Sequence, residues 1–177
     1  LYIVHENYRR DQELMKYAQT DALTGLYNKE TTKLRTDEIL STDKDMIHAF
    51  LILDMDCFKQ INDGYGHAVG DIVLQKFGQL LRDIFREDDI VGRIGGDEFV
   101  VVMKNIKMKE MAIAKAEELL TKTQQYEIKE LNGSAISISI GIAMAPEDGD
   151  CYMDLYKRAD QALYQAKRSG KARVCGY

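Results

Sequence analysis

The stretch "DDIVGRIGGDEFVVVM", residues 88–103, decides how the chain folds. Two short apolar runs, "DIVGRI" and "EFVVVM", flank Gly95 and Gly96, so the segment reads as two strands joined in a hairpin. Two acids, Asp97 and Glu98, follow the glycines at once. Upstream, "AFLILDMD", residues 49–56, is an apolar run of buried-strand type that also stops abruptly at acids.

Between these strands lie the turn-rich "KQINDGYGHAVGD" and then "DIVLQKFGQLLRDIFR", with apolar residues at 73, 74, 77, 80, 81, 84 and 85, the spacing of a helix. After the hairpin come a helix over "KEMAIAKAEELLTKTQQ", an alternating strand "SAISISIGIAMA" and a last helix from near Met153 to Arg168. The order strand, helix, strand, strand, helix, strand, helix predicts an α+β fold. It is the ferredoxin-like, palm-type split βαβ sheet with helices packed on it. The only proline, Pro146, falls where the last long strand should end. Earlier, "TDALTGLYNKET" reads as a loop entering a helix. Residues 1–19 carry apolar positions at Leu1, Val4, Tyr8, Met15 and Ala18, a heptad seam broken by Asp11. That segment is expected to be an N-terminal helix, either lying on its own domain or a coiled-coil stub from an upstream module, ahead of a domain over residues 20–177.

Composition narrows the function. The 177 residues, 45% of them hydrophobic, suffice for one core. Lys and Arg number 24 against 29 Asp and Glu, a net charge of −5, which argues against a nucleic acid polymer as partner. Cys57, Cys151 and Cys175 form no CxxC pair and are expected as free thiols in a reducing cytoplasm. No apolar run approaches the roughly 18–20 residues of a membrane span. A start at Leu1 rather than Met is expected of a segment cut from something longer, such as the cytoplasmic part of a membrane-anchored protein.

The predicted topology places the end of the first strand beside the hairpin turn, which brings Asp54, Asp97 and Glu98 together. Clustered acids repel unless a cation sits between them, and all-oxygen ligation suits Mg²⁺ or Mn²⁺. Mg²⁺ held by few carboxylates completes its shell with substrate phosphates, so the chemistry implied is metal-assisted phosphoryl or nucleotidyl transfer. Taken singly, Asp54 or Asp56 is an ordinary capping acid and Asp97 a turn acid.

"GGDEF" at 95–99 is the signature of the GGDEF domains, the diguanylate cyclases of bacterial signalling. "TDALTGLYNK" resembles that family's opening motif, "LDMDCFKQINDGYGHAVGD" its metal and guanine segment, and "RADQALYQAKRSGKARV" its closing helix. The resemblance runs from about Thr20 to Val174. It implies a domain that binds one GTP and, facing a second copy, joins two GTP into cyclic di-GMP with release of two pyrophosphates. By position, Asp54, Asp97 and the backbone carbonyl of Met55 would hold metal, and Asp97 or Glu98 would help deprotonate the ribose 3′-hydroxyl. Asn62 and Asp71 would read guanine, whose N1–H and N2 amine suit a carboxylate acceptor. Lys59, Lys167 and Lys171, with the backbone N–H groups of Cys57 and Phe58, would hold the β- and γ-phosphates. Arg86 and Asp89, with Arg93, resemble the RxxD site at which cyclic di-GMP inhibits the family; the plain alternative is an i,i+3 salt bridge. His67, with no metal partner by spacing, reads as structural.

Lys171 stands where the family usually has Arg, Ala172 where Asn is common, Cys57 where an aromatic is common and Lys29 where Arg is frequent. None removes a metal ligand or guanine reader. Competing readings are a non-catalytic receptor for cyclic di-GMP or GTP, and a different nucleotide reaction such as an adenylyl cyclase or polymerase. Asp71 weighs against ATP, and the acidic net charge against a polymerase.

Overall fold

The computed structural model describes residues 18–177. The helix expected over 1–19 falls outside them except at Ala18 and Gln19, which are helical. Among the described residues no helix is long and apolar enough to cross a membrane.

The chain runs α1 (Lys29–Thr42), β1 (Ile47–Met55), α2 (Phe58–Tyr65), α3 (His67–Ile84), β2 (Ile90–Gly95), β3 (Glu98–Ile106), α4 (Lys109–Gln125), β4 (Ile138–Ala145), α5 (Tyr152–Arg168) and β5 (Val174–Gly176). The sheet order is β2-β3-β1-β4-β5. β1 lies antiparallel between β3 and β4, β2 pairs antiparallel with β3, and β5 adds a short parallel edge to β4. This is the expected split βαβ sheet, extended by an edge strand too short to announce itself in sequence.

Alternation along β1 sorts the core into two layers. Ala49, Leu51, Leu53 and Met55 face α3 and α4, where they meet Val73, Phe77, Ala112 and Leu119. Phe50 and Ile52 face the other side and pack with Leu40 of α1 and with Leu155, Ala159 and Leu163 of α5. Edge-to-face ring pairs anchor each layer: Phe77 on Phe99 at 4.9 Å and Phe50 on Tyr152 at 5.3 Å.

α1 is a helix by capping more than by apolar patterning. The Asn28 side chain accepts the N–H of Thr31 at 2.9 Å. Its buried face is largely threonine, and the Thr32 and Thr36 hydroxyls each donate to the carbonyl four residues back at 2.7 Å. The segment read as turn-rich is instead helical: α2 and α3 meet at Gly66, and α3 starts at His67, which is exposed. The strand expected over 134–145 begins at Ile138.

Candidate functional site

The parity that sends Phe50 and Ile52 toward α5 sends Asp54 there too. Across the β1–β3 ladder Asp54 pairs with Glu98, which shares the face of Val100 and Val102. The turn between β2 and β3 is carried by Gly96 and Asp97. Gly96 has φ 47°, which a glycine adopts without the steric cost of a Cβ. The N–H of Met55 donates to the Asp97 carbonyl at 3.3 Å, sewing the turn to the end of β1. Three acids from two separate stretches of chain thus meet at one corner of the sheet.

α5 supplies the cation. Lys167, in its last turn, reaches Asp54 with Nζ to Oδ2 at 2.8 Å. Asp54 is only 9% exposed, and burial, with the nearby Asp97 and Asp56 charges, holds its carboxyl above the usual range despite Lys167. Burial also raises Glu98, followed by the charges of Asp54 and Asp97. The carboxylates of Asp97 and Glu98 accept no hydrogen bond among the described residues. This donor set fits a hard divalent cation: all oxygen, strand-held, and charge-balanced by an ammonium on one ligand.

Asp56, read in sequence as no more than a capping acid, organises the rim. Its carboxylate accepts from the Ser137 hydroxyl at 2.6 Å, the Ser139 hydroxyl at 2.8 Å and the Ala172 N–H at 3.1 Å. That ties the end of β1 to β4 and to the loop after α5. In the same loop Lys171 Nζ lies 3.2 Å from Cys57 Sγ, a contact that raises the lysine above its ordinary range. Cys57, at φ 60°, turns the chain into α2, whose first residues are Phe58 and the exposed Lys59. Lys167 and Lys171 therefore border the acid cluster, and Lys59 lies in the first turn of α2 just after Asp56.

Asn62 and Asp71 are brought together where α2 crosses α3. A Cβ on Gly70 would collide with the Asn62 amide oxygen, so only glycine lets the two helices approach with Asn62 beside the turn that bears Asp71. Asp71 is exposed.

Arg86 and Asp89 lie apart from the acids, in a cleft of about 220 Å³ that Arg82 also lines. Asp89 is 8% exposed, and its two oxygens accept the backbone N–H groups of Arg86 and Lys104, each at 3.0 Å. Its carboxylate thus holds the turn before β2, while the Arg86 side chain is exposed. Arg93 is drawn elsewhere, donating to Asp21 at 3.1 and 3.2 Å and to the Gly96 carbonyl at 2.9 Å. Asp21 also accepts the Thr24 hydroxyl at 2.7 Å. Burial pushes its carboxyl up, but the Thr24 and Arg93 hydrogen bonds outweigh that and leave it below the usual range. The opening motif is therefore a brace for the acid-bearing turn, a role no spacing reveals.

The description "Diguanylate cyclase, GGDEF domain" matches residues 18–173. The chain belongs to the GGDEF family. Diguanylate cyclase DgcS of Shewanella oneidensis is 37% identical over 163 residues, covering 90% of this chain and 53% of its own length. The GGDEF domain of PA1120 (TpbB or YfiN) from Pseudomonas aeruginosa superposes with a TM-score of 0.83 at 35% identity, covering 89% of this chain and 93% of that one. The GGDEF domain of DgcB from Caulobacter crescentus, solved in complex with c-di-GMP, gives 0.82 at 27% identity, covering 90% and 95%. Among curated relatives of the family the chain spans from 23% to 53% of the full length.

Proposed function

We propose that this GGDEF domain is a diguanylate cyclase, condensing two GTP into cyclic di-GMP with release of two pyrophosphates. The observation that carries the reading is the convergence of Asp54, Asp97 and Glu98 at the joined ends of β1 and β3, with Lys167 drawn onto Asp54 at 2.8 Å. A degenerate site would have no reason to keep Asp97 where its charge raises the proton affinity of both Asp54 and Glu98.

Asp54, Asp97 and the Met55 carbonyl would hold Mg²⁺ or Mn²⁺, which supplies Lewis acidity at the triphosphate and at the attacking hydroxyl. Asn62 and Asp71 bind guanine edge-on and thereby fix the length of nucleotide that reaches the acids. Lys59, Lys171 and the Cys57 and Phe58 N–H groups hold the β- and γ-phosphates. Lys167, which pairs with Asp54 here, would be a further ammonium for the phosphates. Glu98 would accept the proton of the attacking 3′-hydroxyl. Each 3′-oxygen forms a bond to the α-phosphorus of the other GTP, and the bond to the departing pyrophosphate breaks.

One site holds one GTP, so the reaction needs two copies face to face. The module of residues 20–177 would thus work as a homodimer, driven by an upstream sensory segment, in the cytoplasm. Arg86, with Asp89 shaping its turn, offers a phosphate-binding site for inhibition by the product.

The test is incubation of the concentrated protein with GTP and Mg²⁺ followed by chromatography. Cyclic di-GMP and pyrophosphate, formed at a specific activity that falls on dilution, are expected. GTP binding by a dimer without product would replace this reading with that of a nucleotide receptor.

A further inference from the structure

A hollow of about 720 Å³ lies along α5 and β5. It is continuous with the acid corner through Glu98 and Lys167, the only metal-corner and phosphate residues in its wall. Asp160, Tyr164 and Lys167 follow one another up a single face of α5 at helical spacing, so the hollow leads from Asp160 directly to the Lys167–Asp54 pair. Asp160 is exposed and, among the described residues, has no hydrogen bond or ion pair. Its charge reaches Glu98, and both act on Tyr156, one turn before it on α5. Here, then, is a carboxylate with unused acceptor capacity, held like-charged beside Glu98 with no cation of its own. Nothing in the fold calls for it.

Building on the cyclase reading, we propose that Asp160 is a positioning residue for the second nucleotide: it accepts a hydrogen bond from a ribose hydroxyl of the GTP that a second copy of the chain carries into this hollow. The first nucleotide is accounted for by Asn62, Asp71 and the α2 turn, none of which lines the hollow. The incoming ribose has to reach Glu98 from the open side, and the hollow is the opening that Glu98 borders. Ribose offers hydroxyl donors, and a free carboxylate is an acceptor only. Tyr164, 60% exposed, gives the sugar an apolar wall. A hydroxyl fixed at Asp160 would orient the neighbouring 3′-oxygen toward the metal corner, an effect on turnover more than on binding of the first GTP.

The experiment compares GTP with 2′-deoxy-GTP for the unaltered chain and for Asp160→Asn, reading single-turnover rates of dinucleotide formation with Mg²⁺ and, separately, equilibrium binding of a non-hydrolysable GTP analogue. The unaltered chain is expected to prefer GTP by about ten- to hundred-fold, the range for a hydrogen bond to a charged group. Asp160→Asn is expected to slow GTP by a similar factor, to leave 2′-deoxy-GTP nearly unaffected, and to bind the analogue as tightly as before. Equal slowing of both nucleotides, or an unchanged rate with GTP, overturns the proposal. If the unaltered chain makes no dinucleotide from GTP, it is the cyclase reading that fails. Asp160→Glu, which keeps the acceptor, should recover part of the preference.

Discussion

Lys167 donates to Asp54 across 2.8 Å, joining the last turn of α5 to the end of β1 at the corner where Asp97 and Glu98 also lie. In the metal-free protein this ammonium is the countercharge for a nearly buried carboxylate. Lys167→Met should therefore lower the unfolding free energy in EDTA by about 1–2 kcal/mol, less than for a fully buried pair because the lysine is partly exposed. Mg²⁺ or Mn²⁺ should restore more stability to the variant than to the unaltered chain. Thermal melts with and without metal measure both; an unaltered melting temperature in EDTA would show that the pair contributes nothing.

Asp97 has the opposite balance. It raises the proton affinity of both Asp54 and Glu98, so its removal relieves repulsion in the absence of metal. Asp97→Ala should abolish dinucleotide formation while leaving the EDTA melting temperature equal or higher. Retained turnover would mean that the metal is held elsewhere.

Asp56 carries no predicted contact with substrate, yet it receives two hydroxyls and one backbone N–H. Asp56→Ala strands these donors and unties the loop bearing Lys171. A loss of about 2–4 kcal/mol in urea unfolding is expected, together with weaker binding of a GTP analogue.

The brace between Asp21 and Arg93 should show in the acid limb of stability. The Asp21 carboxyl is lowered in the folded state from 3.8, so the unfolded chain binds its proton more readily. Its stabilisation is fully present above about pH 4 and is lost as pH falls through the folded value. Asp21→Asn should lower stability at neutral pH and flatten the decline below pH 4. Parallel curves for the two proteins would show that the brace is energetically silent.

In the cleft lined by Arg86 and Asp89 the two residues should separate. Arg86→Ala, altering an exposed side chain, should weaken inhibition by added cyclic di-GMP and leave the melting temperature unchanged. Asp89→Ala leaves the N–H groups of Arg86 and Lys104 without their acceptor and should cost about 1–3 kcal/mol in unfolding free energy. Inhibition that survives Arg86→Ala in full would remove the cleft from consideration.

Sequence alone determined the four longer strands and the main helices packed on them, because these rest on local periods. The alternation of β1 and β3, the glycine turn at 95–96 and the apolar spacing of α3 are visible within a window of a few residues, and their order leaves few topologies. The predicted strand pairing set the end of β1 beside the turn bearing Asp97 and Glu98, and the ladder then showed Asp54 opposite Glu98. Some local structure was overridden by packing. The Asn, Asp and Gly residues of 62–66 favour turns, yet α2 forms because Phe58 and Ile61 lie against the core and Asn62 seats over Gly70. Tertiary structure alone decided which charges are spoken for. The Asp56 link to Ala172 spans 116 residues and the Arg93 link to Asp21 spans 72. Such pairs follow no repeat, since the strength of a hydrogen bond depends on distance in space and burial and not on position along the chain. Only the folded arrangement could show that Asp89 and Arg93 are held by their own backbone and neighbours, that Lys167 pairs with Asp54, and that, among the described residues, Asp160 has no hydrogen bond or ion pair.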